Sequence, residues 1–318
     1  MGFTNGGRAL NAFETAQPDI SVCVPIYNEE ESVGPLHEAI VAALEPSGYS
    51  FEIVLVDDGS KDDTIPRLRA IAAADPRVVV VRFRRNAGQT SAMQAGIDHA
   101  RGRFLVTMDG DLQNDPADIP MMVDKLGEDY DLVVGWRIKR QDKFLSRKLP
   151  SKLANYLIGK ATGLPIRDNG CSLKVYRAEV IRRVPLYSDM HRFIPAMSIP
   201  MGARVAEVGV RHHARQFGES KYGLSRVLKV LLDLMVITTL LVFARRPLAR
   251  FSGVAILAAL AAVVAIAAIP ASTPAVVPMT VAALTASLAV FLLLLGLVTS
   301  VPFQFQSDPN PQRTTRQN

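Results

Sequence analysis

No charged side chain occurs between Phe251 and Ser307. A water-soluble domain rarely sustains so long an apolar run, because most of its surface must face solvent. The run is interrupted by PASTPAVVP, residues 270–278, into apolar blocks at 251–269 and 279–301. Each block is close to the roughly 20 residues that a helix needs to cross the hydrocarbon core of a bilayer. The proline-rich break suits a turn outside it. Residues 251–302 are therefore expected to form a two-helix transmembrane hairpin. Arg245, Arg246 and Arg250 precede the first block, Arg313 and Arg316 follow the second, and the turn between them has no charge. The positive-inside rule then places both flanks in the cytoplasm. The expectation is a multi-pass protein of the cytoplasmic membrane whose large N-terminal region faces the cytoplasm.

Before the hairpin, residues 223–250 are apolar but include Arg226, Lys229 and Asp233. This pattern fits amphipathic helices lying in the cytoplasmic interface, their basic residues near lipid headgroups. Residues 1–18 are polar and Gly-rich, without the apolar core of a signal peptide, and are expected to be flexible. Residues 303–318 read as a cytoplasmic polar tail. The net charge of +6 and pI near 9.4 suit anionic lipid, phosphorylated substrate or nucleic acid alike, so the placement of the charge has to decide. Cys23 and Cys171 lack metal-site spacing and read as buried thiols of a reducing compartment.

Residues 19–222 alternate between two periods. Short apolar runs at 20–26, 51–58, 77–83, 104–109 and 130–137 read as strands. Helical patterns cover 30–44, a stretch from about Asp62 or Asp63, and 88–102, which ends at Gly102. Buried strands alternating with helices imply a mostly parallel, doubly wound α/β sheet covered on both faces. Such sheets bind ligands at the carboxyl ends of their strands. Polar residues follow every strand: Tyr27-Asn28-Glu29, Asp57-Asp58-Gly59, Asn86-Ala87-Gly88-Gln89, Asp109-Gly110-Asp111-Leu112-Gln113, and Trp136-Arg137. All can address one ligand along one edge. Asp111, with Asp109 and Gln113, offers hard oxygen ligands of the kind that hold Mg2+ or Mn2+ beside substrate phosphates. Asp57 and Asp58 are candidates to accept hydrogen bonds from a base or ribose. Neither GxGxxG nor GxxxxGK[ST] follows the first strand, which argues against a dinucleotide enzyme and a P-loop NTPase.

The segments VPIYNEEES, VLVDDGSKDDT, RRNAGQTSAMQAGIDHARG and VTMDGDLQNDP, in this order, resemble family 2 glycosyltransferases of the GT-A fold. DNGCSLKVYR, GESKYG and the hairpin narrow the resemblance to polyprenyl-phosphate glycosyltransferases. That group includes dolichol-phosphate mannosyltransferase and bacterial undecaprenyl-phosphate sugar transferases. The resemblance covers about residues 20–301. It implies a nucleotide-sugar donor of GDP-mannose or UDP-hexose type, a divalent metal, and a polyprenyl-phosphate acceptor, with undecaprenyl phosphate favoured. It assigns Pro25, Tyr27, Asn28, Glu29, Asp57, Asp58, Gly88 and Gln89 to the donor nucleotide. Asp109, Asp111 and Gln113 fall to the metal, and Arg137, Arg147 and Ser151 to the acceptor phosphate. Arg215, Ser220 and Lys221 match a loop over the donor diphosphate. The QxxRW motif of processive synthases is missing, so chain polymerisation is not expected. A homo-oligomer stays open, although the short tail lacks the amphipathic helix that often follows the hairpin in relatives.

The basic run from Arg137 to Lys152 has Asp142 as its single acid. Beside a strand end in a membrane-bound chain, it suits a lipid phosphate and anionic headgroups. It lacks the interleaved aromatics of a nucleic-acid binder, so no nucleic-acid partner is expected. Asp168 sits on a loop before a short strand and is a candidate to orient sugar or acceptor. His191 and Arg192 are candidates to line the sugar site. The adjacent His212 and His213 would point differently in extended chain and do not read as a metal pair. A phosphate acceptor is already anionic, so an inverting transfer needs no general base. The alternatives are a family 2 glycosyltransferase with a non-lipid acceptor, a nucleotidyltransferase, and a membrane binding module without turnover.

Overall fold

A computed structural model describes residues 17–138, 159, 166–184, 186, 190–214, 247–270, 272 and 274–306. The chain divides into two compact units, residues 1–234 and 235–318.

In the first unit, β1 (Ile20–Ile26), α1 (Val33–Leu44), β2 (Phe51–Asp57), α2 (Thr64–Ala74), β3 (Val78–Arg82), α3 (Gln89–His99) and β4 (Phe104–Thr107) follow one another. Then come α4 (Ile119–Gly127), β5 (Leu132–Arg137), β6 (Lys174–Arg177), α5 (Ala178–Ile181), α6 (Ile194–Ser198) and β7 (Val205–Val210). Among the described residues these strands form one seven-stranded sheet in the order β3-β2-β1-β4-β6-β5-β7. Alternation along the strands explains why both faces are covered. On β1, Ile20, Val22, Val24 and Ile26 face a core shared with Leu36 and Ile40 of α1 and Met122 and Leu126 of α4. Cys23 faces the other way, into a core with Val54, Val56 and the α3 residues Met93 and Ile97. Gly96 lets α3 approach β1, since a Cβ there would stand 3.1 Å from that of Cys23. Both thiols are free and buried, as expected.

The expected five strands all form, and the sheet differs from a simple parallel one in a single respect. β6 inserts antiparallel between β4 and β5, with Thr107 and Val134 both in register with Lys174. β7 then extends the edge parallel to β5. A strand running against its neighbours begins at the edge where they end. The turn at residues 168–171 and Lys174 are thereby brought to the carboxyl ends of β4 and β5. The strand order also reverses between β1 and β4, which pair in parallel, and this is where an open α/β sheet leaves a crevice.

The second unit contains α7 (Pro247–Ala267) and α8 (Val276–Gln306). Both are long and apolar enough to cross a membrane. The 21 residues of α7 span about 32 Å at 1.5 Å per residue. α7 begins four residues before the expected boundary, at a proline suited to a first helical turn. Residues 247–250 are therefore continuous with this helix. The rest of the expected interfacial region, residues 223–246, lies outside the described residues. Leu257, Val264 and Phe291 are each at least 60% exposed within this unit, unlike the buried stripe of a soluble core helix. The helices meet closely at Gly296, where a Cβ would lie 3.0 Å from that of Phe251.

Candidate active site

A cleft of about 450 Å³ opens over the β1/β4 crevice. The ends of β1 and β4, the loop before α3, the turn before β6 and the turn before α6 all contribute to its lining.

Beyond β1, Asn28 adopts φ +53°, a left-handed conformation that asparagine tolerates. Its amide oxygen accepts the Lys61 N–H at 2.9 Å, and its own N–H donates to Ser60 Oγ at 2.9 Å. The Glu29 carboxylate accepts from Ser32 Oγ at 2.8 Å. These bonds hold the segment at Tyr27–Glu29 against the loop after β2. Pro25, Tyr27, Asn28 and Glu29 all line the cleft.

Of the Asp57-Asp58 pair, Asp58 lines the cleft, and both carboxylates accept backbone N–H groups nearby. Asp57 is fully buried and accepts the Ser60 N–H at 3.1 Å, so this carboxylate closes its own turn. A group with no exposed surface is not available to a base or ribose. Asp58 reaches the cleft wall, but its two oxygens accept the Ala87 and Gly88 N–H groups at 2.7 and 2.9 Å. It fixes the loop that starts α3. Gly59, at φ +74°, allows this packing: a Cβ would stand 2.6 Å from the Arg85 carbonyl carbon. Gly88, at φ +93°, caps α3, and Gln89 donates through Nε2 to Asp109 Oδ1 at 2.6 Å.

Asp109 and Asp111 both line the cleft. Gly110 between them packs under β1, where a Cβ would meet Ile26 Cδ1 at 2.6 Å. Leu112 is held at φ +59°, a conformation that costs a non-glycine residue roughly 1–2 kcal/mol. The Gln113 N–H donates to Asp111 Oδ1 at 3.2 Å. Burial, then repulsion from Asp111, raises the Asp109 pKa above the ordinary carboxylate value, against opposing contributions from Ser172, Lys174 and Arg192. Two carboxylates that crowd each other in this way suit a divalent cation. Among the described residues no group of three or more His, Cys, Asp or Glu side chains could hold a metal. Two carboxylates with the Gln113 amide fit Mg2+ or Mn2+, which bind through few protein ligands and complete their shell with substrate phosphates and water. Asp115 is structural: it caps the following turn through the Ala117 N–H at 3.0 Å and pairs with Arg211 at 3.1 Å.

Arg137, expected at the acceptor phosphate, and Asp168, expected to orient sugar or acceptor, form one forked ion pair. Arg137 Nε and Nη2 donate to the two Asp168 oxygens at 2.6 and 2.8 Å. Gly170 leaves room for the fork. Glu207 of β7 accepts the Asp168 N–H at 3.2 Å and steadies the loop. Arg137 lines the cleft, while Asp168 stands behind it.

Lys174 was not foreseen. It is buried in the cleft floor, donates to the Cys171 carbonyl, and has its pKa lowered by burial despite attraction from Cys171, Asp109 and Asp168. Its sequence signal is a lysine opening the short strand KVYR soon after DNGC. His191 and Arg192 line the same cleft, as does His212, which the Asn114–His212 bridge sets beside the Asp111 loop. His213 donates its N–H to the Gln113 carbonyl at 2.8 Å. The expected site residues Arg147, Ser151, Arg215, Ser220 and Lys221 lie outside the described residues.

A mixed sheet with crowded carboxylates at its switch point defines an α/β enzyme of the GT-A class. Residues 21–184 match the sequence model of "Glycosyl transferase family 2", and the chain belongs to that family. It is 50% identical over 233 residues to dodecaprenyl-phosphate galacturonate synthase of Rhizobium johnstonii, covering 72% of this chain and 69% of that one. It is 40% identical over 232 residues to undecaprenyl-phosphate 4-deoxy-4-formamido-L-arabinose transferase of Edwardsiella ictaluri, covering 72% and 70%. Among solved structures, glucosyl-3-phosphoglycerate synthase from Mycobacterium tuberculosis with uridine diphosphate shares the fold. The TM-score is 0.53 at 21% identity, over 70% of this chain and 80% of that one. The same enzyme has been solved with Mn2+ and uridine-diphosphate-glucose, with a TM-score of 0.51 at 21% identity, over 70% and 78%.

Proposed function

We propose that this glycosyltransferase moves a sugar, with inversion, from a nucleoside-diphosphate sugar to the phosphate of a membrane polyprenyl phosphate. One observation carries the reading: Asp109 and Asp111 share a single cleft with Arg137 and Lys174, so one site offers a place for a metal-bound diphosphate and cations for a second anion. The names of the two curated relatives, both polyprenyl-phosphate enzymes, support the acceptor. Two apolar helices supply a reason for a lipid substrate to be within reach, and the basic flanks support a cytoplasmic orientation.

In this mechanism the acceptor phosphate oxygen attacks the anomeric carbon. The new C–O bond joins sugar to lipid phosphate, and the old one leaves with the nucleoside diphosphate. The nucleophile is already ionised, so no side chain has to remove a proton. Asp111, Asp109 and Gln113 would hold Mg2+ or Mn2+, which supplies positive charge to the leaving diphosphate. Arg137, oriented by Asp168, holds the incoming phosphate, and Lys174 offsets negative charge from beneath. Positioning and charge stabilisation thus supply the catalysis. By the family resemblance, Arg147 and Ser151 are proposed at the acceptor and Arg215, Ser220 and Lys221 at the diphosphate.

The test combines a donor panel with extraction of lipid products. The panel includes hexuronate and pentose donors, since the relatives' names contain galacturonate and 4-deoxy-4-formamido-L-arabinose. Radiolabel should pass into the lipid phase with the wild type, and Asp111→Ala should abolish this while membrane insertion persists. Label found only on water-soluble products would refute the acceptor. Full activity of Asp111→Ala in chelator would refute the metal role.

A further inference from the structure

We infer that the His191–Arg192 turn is a phosphoryl-binding element of the cleft, with Arg192 as the binding residue and His191 and Thr90 as positioning residues. The inference rests on the transfer reading above and adds to it a second cationic corner, presented by a different part of the fold from Arg137.

The turn is built to hold its shape. Met190 and Phe193 at its ends are buried, and the short helical segment Met190–Phe193 runs directly into α6. His191 is only 6% exposed, yet it lines the cleft. Its Nδ1 lies 2.7 Å from Thr90 Oγ1, in the first turn of α3. The loop before that turn is in turn held by the Asp58 carboxylate through the Ala87 and Gly88 N–H groups. The ring is thus tied to the rigid start of α3, and Arg192 is the next residue in the chain.

Arg192 is partly buried and lines the same cleft as Asp109 and Asp111. The cleft has reason to need it. Transfer to a lipid phosphate brings a diphosphate and a phosphate together, more anionic oxygens than the Arg137 fork can meet by itself. A guanidinium presents a planar fork of donors that matches two phosphoryl oxygens. Both the donor diphosphate and the acceptor phosphate offer this chemistry, and the two arms of the test separate them.

The experiment uses the full chain in lipid nanodiscs with Mn2+. Binding of UDP, GDP, CDP and ADP and of the matching monophosphates identifies the base that the wild type holds. For that base, the ratio of diphosphate to monophosphate affinity is measured in Arg192→Gln, Arg192→Lys and Thr90→Val. The Michaelis constant for polyprenyl phosphate is measured in parallel. If the turn holds the donor, Arg192→Gln lowers the ratio about tenfold, the equivalent of one charge-assisted hydrogen bond. If it holds the acceptor, the ratio stays constant and the Michaelis constant rises about tenfold. In either case Arg192→Lys recovers part of the loss, and Thr90→Val shifts the same quantity in the same direction by less. Equal weakening of diphosphate and monophosphate, with the acceptor constant within twofold, overturns the inference and leaves the turn a packing element. A wild type that binds none of the nucleotides overturns the transfer reading itself.

Discussion

Asp168→Asn keeps the shape of the Arg137 partner and removes its charge. The fork at 2.6 and 2.8 Å is well shielded, with side-chain exposures of 13% for Arg137 and 9% for Asp168. At an effective dielectric constant near 20, two unit charges about 4 Å apart attract by about 4 kcal/mol. The asparagine retains one acceptor oxygen, so part of the orientation survives. A net loss of about 3 kcal/mol in transition-state stabilisation is expected, on the order of a hundredfold in kcat/KM for lipid transfer. The assay is label transfer to the lipid phase at varied polyprenyl phosphate, for Asp168→Asn, Arg137→Gln and the double variant. Two residues acting as one unit are non-additive, and a coupling of about 2 kcal/mol is expected, because once Arg137 is lost Asp168 has little left to orient. Additivity of the two single effects within about 0.5 kcal/mol would show that Asp168 acts independently, and the positioning argument would then be wrong.

Two predictions concern the scaffold. Gly59→Ala introduces a Cβ 2.6 Å from the Arg85 carbonyl carbon at φ +74°, so the loop carrying Asn86–Gly88 has to move. We expect a loss of roughly 2–4 kcal/mol in denaturant unfolding together with weakened nucleotide binding, and an unchanged midpoint would contradict the close approach. On the far side of the domain, burial opposes the Asp75 charge, but hydrogen bonds from Arg77 and His37 outweigh it and hold the carboxyl well below the usual carboxylate range. A lowered folded-state pKa contributes stability that is complete above the unfolded value of about 3.9 and is lost as pH falls through the folded value. Asp75→Asn should therefore cost roughly 2–3 kcal/mol at neutral pH and flatten the acid limb of the stability profile, as followed by unfolding between about pH 2 and 7.

Periodic features were legible in the sequence alone. A long charge-free run broken by prolines marks two apolar helices by composition, and α7 and α8 fall on the expected blocks with starts a few residues earlier. Alternating strand and helix patterns bring polar residues to one sheet edge by topology, which is why Tyr27, Asn28, Gln89, Asp109, Asp111 and Arg137 could be named before their contacts were known. What the tertiary structure decided was how each polar group is used. Asp57 and Asp58 look like Asp109 and Asp111 as sequence, yet the first pair also fixes its own turn and a loop some 30 residues on through backbone N–H groups. The joining of Arg137 to Asp168, and the burial of Lys174 beneath the cleft, depend on β6 running against its neighbours. Strand direction and long-range pairing follow from packing over the whole sheet, and a period of two in a four-residue strand holds no record of either.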